Sequence, residues 1–112
     1  MSGLDDPNYT TVTVANPTAS YTATLNDYYI FCDTTTIGAQ TVTLPAASAA
    51  LAGREYVVMK TTTAAGAVTV KTNGGTINGA AAGTGIATLI TAQFGSLRCI
   101  CDGTNWHANF AV

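Results

Sequence analysis

YYIFCDTTTIGAQTVTLP, residues 28–45, is the stretch that decides the class of fold. Its first six residues are apolar at both parities, the pattern of a central strand covered on two sides. Its last six alternate: Val42 and Leu44 turn to one face, threonines to the other, and Pro45 ends the run because it has no N–H to donate. Neither half repeats at helical spacing, and no other segment of useful length does. Working outward, YTTVTVA (9–15) alternates with Val12 and Val14 on one face. EYVVMKT (55–61), AVTVKT (67–72), IATLI (86–90), FGSLRCICD (94–102) and NWHANFAV (105–112) read as further short strands, with a shorter pairing expected near Thr76 and Ile77. Between them, Asn73-Gly74-Gly75, Asn78-Gly79 and Asp102-Gly103 supply the positive φ angles that tight hairpins need. PAASAALAG (45–53) is the one helix-like piece, with Pro45 at a first helical position and Gly53 as cap, at most a short crossover from one sheet to the other. About eight strands at this spacing predict an all-β, single-domain β-sandwich or jelly-roll-like barrel.

Composition narrows the class. The chain has 112 residues, enough for one core and no second. Charged residues are 9% of it, against roughly 25% in an average soluble domain, while 47% are hydrophobic. Interface centres are depleted of charge, so a surface this bare is expected to be covered by partner chains. The net charge is −2 and the four basic residues, Arg54, Lys60, Lys71 and Arg98, are scattered, which argues against nucleic acid as a partner. No run is long and apolar enough for a helical membrane span, and the first residues, MSGLDDPNYTTV, do not make a signal peptide, so synthesis in a cytoplasm is expected. Residues 1–19 carry two of the three prolines and the Asp5-Asp6 pair, and are expected to form an N-terminal arm ahead of a sandwich over 20–112. GAAAGTG (79–85) reads as a loop, or as a place of close backbone approach.

The chemistry-bearing residues are few. Cys32, Cys99 and Cys101 are an odd number and fit a disulfide framework poorly. Cys99 and Cys101 share one strand face; buried free thiols are expected, with a bridge from Cys32 to either one open if their strands are neighbours. One histidine, His107, cannot complete a zinc site with them, and no metal or other cofactor is expected. His107 falls on the strand face opposite Trp106, Ala108 and Phe110. Ser48 or Ser96 with Asp33 or Asp102 would make a hydrolytic triad on paper, but no spacing favours it, and the chain is expected not to be an enzyme. Asp102, Asn105 and Trp106 form the one constellation that invites a role. The indole either caps the end of the sandwich with its N–H on a backbone carbonyl, or offers a face on which a sugar stacks.

A set of these segments resembles a known group. YTATLNDYYIFCDTTTIGAQTVTLPAASAALAGREYVVMK, then AVTV, NGGTINGA and ICDGTNW, are similar to the small β-domains of phage capsid decoration (cement or head-fibre) proteins and of tail-fibre tips. The matching parts are the D-x-x-I strand at 27–30, T-V-T-L-P at 41–45, V-T-V at 68–70, G-T-I-N-G at 75–79 and D-G-T-N-W at 102–106, and the resemblance covers residues 20–107 or so. It implies a virion structural protein: a homotrimer on the outer surface of the head that binds the major capsid protein and stabilises the shell. In that view the arm grips the shell through Leu4, Asp5, Asp6, Asn8 and Tyr9. The alternative it implies is a tail-fibre tip or other receptor-binding module that recognises a host-surface glycan. A chain that reaches its sandwich within some twenty residues of Met1 fits the first better than the second.

Overall fold

The computed structural model describes residues 13–86 and 90–111. Eight strands are found there: β1 (Thr13–Ala15), β2 (Tyr21–Thr22), β3 (Asp27–Cys32), β4 (Gln40–Leu44), β5 (Glu55–Lys60), β6 (Val68–Thr72), β7 (Ser96–Cys101) and β8 (Trp106–Ala111). They form two sheets, one of five strands in the order β1-β3-β5-β7-β8 and one of three in the order β2-β4-β6. The chain changes sheet at every step from β1 to β6. Each sheet therefore grows by one parallel strand per circuit, and the strand laid in the opposite sheet is the crossover that parallel neighbours require. β7 and β8 leave this winding and close the larger sheet as an antiparallel pair.

The burial pattern explains the two layers. β4, β5 and β6 alternate strictly, so Val42 and Leu44, Tyr56 and Val58, and Val68 and Val70 all turn into the space between the sheets. Ile30, Cys32, Leu97, Cys99, Cys101 and Trp106 join them, and Ile77, Ile86 and Ile90 fill in from the connections. Burying an aliphatic side chain of this kind contributes about 1.5–3 kcal/mol, so this one contiguous cluster is the main stabilising element. No helix among the described residues is long and apolar enough to cross a membrane.

Several expectations change. The sheets stay open and do not close into a barrel. Four of the six pairings between named strands are parallel, unlike the antiparallel keys of a jelly roll. Asn73-Gly74-Gly75 accordingly bends the chain after β6 without joining two paired strands, whereas Asn78-Gly79 does make a two-residue turn, with φ of 47° and 87° between bridged Ile77 and Ala80. Of the strand expected at 86–90, residues 87–89 lie outside the described residues; at its ends Ile86 N–H donates to the Val70 carbonyl, and Ile90 exchanges two 2.9 Å hydrogen bonds with Val68. The helix-like stretch is one turn of 3-10 helix, Ala49–Leu51, lying between β4 of one sheet and β5 of the other.

β3 departs from strict alternation. Thr13 pairs with Asp27 but Val14 with Tyr29, so Tyr28 is an extra residue, a β-bulge. Bulging flips the parity: Asp27 faces inward, Tyr28 and Tyr29 are consecutive and outward, and Ile30 is inward again. The segment whose apolar residues at both parities predicted two covered sides instead leaves Tyr29 39% exposed.

Candidate functional site

The loop 102–105 joins β7 to β8, and its residues spend their polar atoms on the fold. Asp102 Oδ1 accepts the backbone N–H groups of Thr104 (2.8 Å) and Asn105 (2.7 Å), while Oδ2 lies 2.7 Å from His107 Nε2. The Asn105 N–H, then the His107 ring and the Thr104 N–H, hold the Asp102 carboxyl down at about 2. Asn105 Oδ1 accepts the N–H of Thr76 at 2.8 Å, tying the loop to the segment after β6. The fit is close: Gly75 has φ of 73°, and a Cβ there would stand 2.5 Å from the Thr104 carbonyl oxygen.

Trp106 sits beneath this loop with no exposed surface. Its ring lies 5.6 Å from that of Tyr56, and its N–H donates to the Pro45 carbonyl at 2.9 Å. Beyond Tyr56 the stack continues into Arg54, whose guanidinium is 4.7 Å from the Tyr56 ring centre. The Arg54 guanidinium also donates to the Asp27 carbonyl, the Tyr56 hydroxyl to the Thr24 carbonyl, and the Tyr21 hydroxyl to Asp27 Oδ2 at 2.6 Å. The bond to Asp27 favours the neutral phenol and pushes Tyr21 up to about 12. The indole therefore closes the end of the two layers, and a sugar ring has no face of it to stack on. Asp102, Asn105 and Trp106 are brought together as a cap.

Other sequence candidates fall apart in space or into the core. His107 is exposed beside Asp102, and Ser96 lies at the other end of β7. Cys32, Cys99 and Cys101 are free and buried, and β5 stands between the strands that carry Cys32 and the other two. Burial pushes the Cys32 and Cys99 thiols up to about 12, far from a reactive thiolate. The arm residues Leu4, Asp5, Asp6, Asn8 and Tyr9 lie outside the described residues. Among those described, no group of three or more His, Cys, Asp or Glu side chains could hold a metal ion, and no cavity is found.

Two features went unread in the sequence. One is Lys60: it is buried at the end of β5, with Nζ donating to the Thr91 carbonyl at 3.0 Å and the chain at 94–95 bonded to its backbone. The other is the outer face of the five-stranded sheet. The register places Val14, Tyr29, Val57, Arg98 and Asn109 in one row across all five strands. Phe31 and Met59 stand in the next row, and Glu55, Ile100 and His107 in the row on the other side. Tyr28 and Tyr29 meet edge to face at 4.5 Å, and Tyr29 and Phe31 at 5.7 Å. Glu55 pairs with Arg98 beside them. The bulge at Tyr28 was the signal to find; a run of two tyrosines and a phenylalanine on an otherwise alternating strand hides it. No protein-family model, curated protein or solved structure matches the chain.

Proposed function

We propose that the chain is a structural protein of a phage virion, a homotrimeric decoration (cement) protein seated on the outside of the head and bound to the major capsid protein. In this reading it performs no reaction; it adds contacts between shell subunits and so resists outward pressure. The observation that carries the reading is the outer face of the five-stranded sheet. There, apolar and aromatic side chains from β1, β3, β5 and β7 share a surface with the Glu55–Arg98 ion pair. Interface centres have this composition, with aromatic residues, Met and Arg enriched and unpaired charge removed. The segments that resemble virion β-domains supply the setting. The tail-tip alternative loses its stacking residue, because Trp106 is enclosed.

Three-fold attachment multiplies weak contacts, since each further site binds at high effective concentration once the first is held. Co-sedimentation of the purified chain with undecorated phage heads tests the proposal. Saturable binding in multiples of three copies per site is expected. Binding to host cells but not to heads would replace it with the receptor-binding reading, and binding to neither would end both. Deleting residues 2–12 tests the arm: unchanged binding removes it as the grip.

A further inference from the structure

We infer that Asn73–Gly74 is a self-modification site, at which the folded protein slowly converts asparagine to aspartate and isoaspartate through a cyclic imide. The chain carries two Asn–Gly pairs, Asn73–Gly74 and Asn78–Gly79. As sequence they are equally reactive, because glycine leaves the attacking backbone nitrogen uncrowded. In the reaction the Gly74 nitrogen attacks Asn73 Cγ, the new C–N bond closes a ring, and the Cγ–Nδ2 bond breaks. Ammonia leaves with the proton that the Gly74 nitrogen gives up. Water then opens the ring at either carbonyl: one way gives aspartate, the other isoaspartate, whose main chain is one carbon longer. Water is the sole co-reactant.

The structure sets the two pairs apart. Asn78 is clamped by its side chain: Oδ1 accepts the Ala108 N–H at 2.9 Å, and Nδ2 donates to the Ala108 carbonyl at 3.0 Å. Its backbone N–H is held on the Trp106 carbonyl, and it sits in the tight turn between bridged Ile77 and Ala80. Cyclisation there must first break the clamp. Asn73 is exposed, and its side-chain amide has no hydrogen-bond partner among the described residues. Its acyl carbon is therefore free to swing to the Gly74 nitrogen, whose N–H makes only a long bond, 3.2 Å, to Thr72 Oγ1. Two side-chain hydrogen bonds to break at one site and none at the other separate the rates by about tenfold or more. The consequence is local. The Gly74 carbonyl accepts the Ala47 N–H at 3.0 Å and the Thr72 hydroxyl at 2.8 Å, and a Cβ on Gly74 would stand 2.7 Å from that of Ala46. An extra main-chain carbon before Gly74 displaces it from these contacts. Thr76, whose N–H bonds to Asn105 Oδ1, follows closely. Isoaspartate therefore loosens the tie between β6 and the loop over Trp106, and the protein carries a clock for its own ageing.

The test uses the whole chain, kept folded at mildly alkaline pH. Trypsin cuts after Lys71 and Arg98 and nowhere between, so one peptide, 72–98, carries both asparagines, and its fragmentation in the mass spectrometer assigns the site. Acid is expected to accumulate at residue 73 at least about tenfold faster than at residue 78. It is expected as two peptides of equal mass, aspartate and isoaspartate, that separate on a column. In concentrated urea, where the clamp is gone, the two sites are expected to react at similar rates. Equal rates in the folded chain overturn the inference, and so does faster reaction at residue 78, or reaction at neither site while the unfolded chain reacts at both. Aspartate as the sole product overturns the cyclic route. The aged protein is expected to melt below the fresh one, whereas Asn73→Asp, which has the charge without the longer main chain, is expected to melt with the wild type. An Asn73→Asp variant that melts as low as the aged protein overturns the loosening by isoaspartate.

Discussion

Replacing Trp106 with alanine should remove a large part of the molecule's stability. The ring is fully enclosed, packs on Tyr56 and lies under the 102–105 loop, so truncation opens a cavity that the paired strands cannot collapse to fill. A buried Trp→Ala change costs about 3–5 kcal/mol, against a total of about 5–15 kcal/mol for a domain of this size. Trp106→Phe separates the two contributions. It keeps most of the packing and loses one hydrogen bond, worth about 1 kcal/mol. The Pro45 carbonyl keeps only a 3.3 Å contact with Thr72 Oγ1, whose single proton has the nearer Gly74 carbonyl at 2.8 Å, so part of the cost of an unpaired carbonyl is added. The phenylalanine variant should therefore lose about 1–2 kcal/mol. In urea, with a slope of about 2 kcal/mol/M, the midpoint falls by about 2 M for alanine and by less than about 1 M for phenylalanine. Far-UV circular dichroism must be the probe, since both variants lack the sole tryptophan. An alanine variant within about 1 kcal/mol of wild type would refute the account of Trp106 as the cap.

Other consequences follow from named groups. Asn78 blocks the edge of β8: its side-chain oxygen accepts the Ala108 N–H at 2.9 Å and its nitrogen donates to the Ala108 carbonyl at 3.0 Å. Asn78→Asp removes that donor, so a loss of about 1–2 kcal/mol by urea titration is expected; a neutral result contradicts it. The three thiols should ignore Ellman's reagent in the native protein and all react once it is unfolded; native reactivity would show that the two layers open. Folding lowers the Asp102 pKa from 3.8 to about 2, so its contribution is whole above pH 4 or so and disappears as pH falls toward 2. Folding raises Tyr21 from 10.0 and Cys32 from 9.0, each to about 12. Their contributions are whole below the unfolded values and disappear as pH climbs toward 12, so the thermal midpoint should fall at both extremes. A midpoint that stays flat on the alkaline side contradicts the Tyr21–Asp27 hydrogen bond and the burial of Cys32.

Much of the layering was legible because parity is written directly in side chains. Val42 and Leu44, or Tyr56 and Val58, could only turn to one side of a pleated strand. The closing turn was legible for the same local reason: Asp102-Gly103 fits a hairpin loop and leaves Trp106 at the start of the returning strand. Direction of pairing was not legible. A period of two is the same whether the neighbour runs parallel or antiparallel, so the coil from β1 to β6 left no mark that hairpin signals could be weighed against. β2 is too short to carry a pattern. The bulge at Tyr28 reversed parity inside β3 and disguised a one-sided strand as a doubly covered one. The burial of Lys60, and the meeting of Arg54 and Tyr56 with the backbone at Asp27 and Thr24, depend on partners far along the chain, which no local window contains.

Sedimentation equilibrium of the intact chain at micromolar concentration reaches the centre of the account. The homotrimer proposed above requires a species at three times the 11.4 kDa chain mass. A lone 11.4 kDa species at every concentration would contradict it.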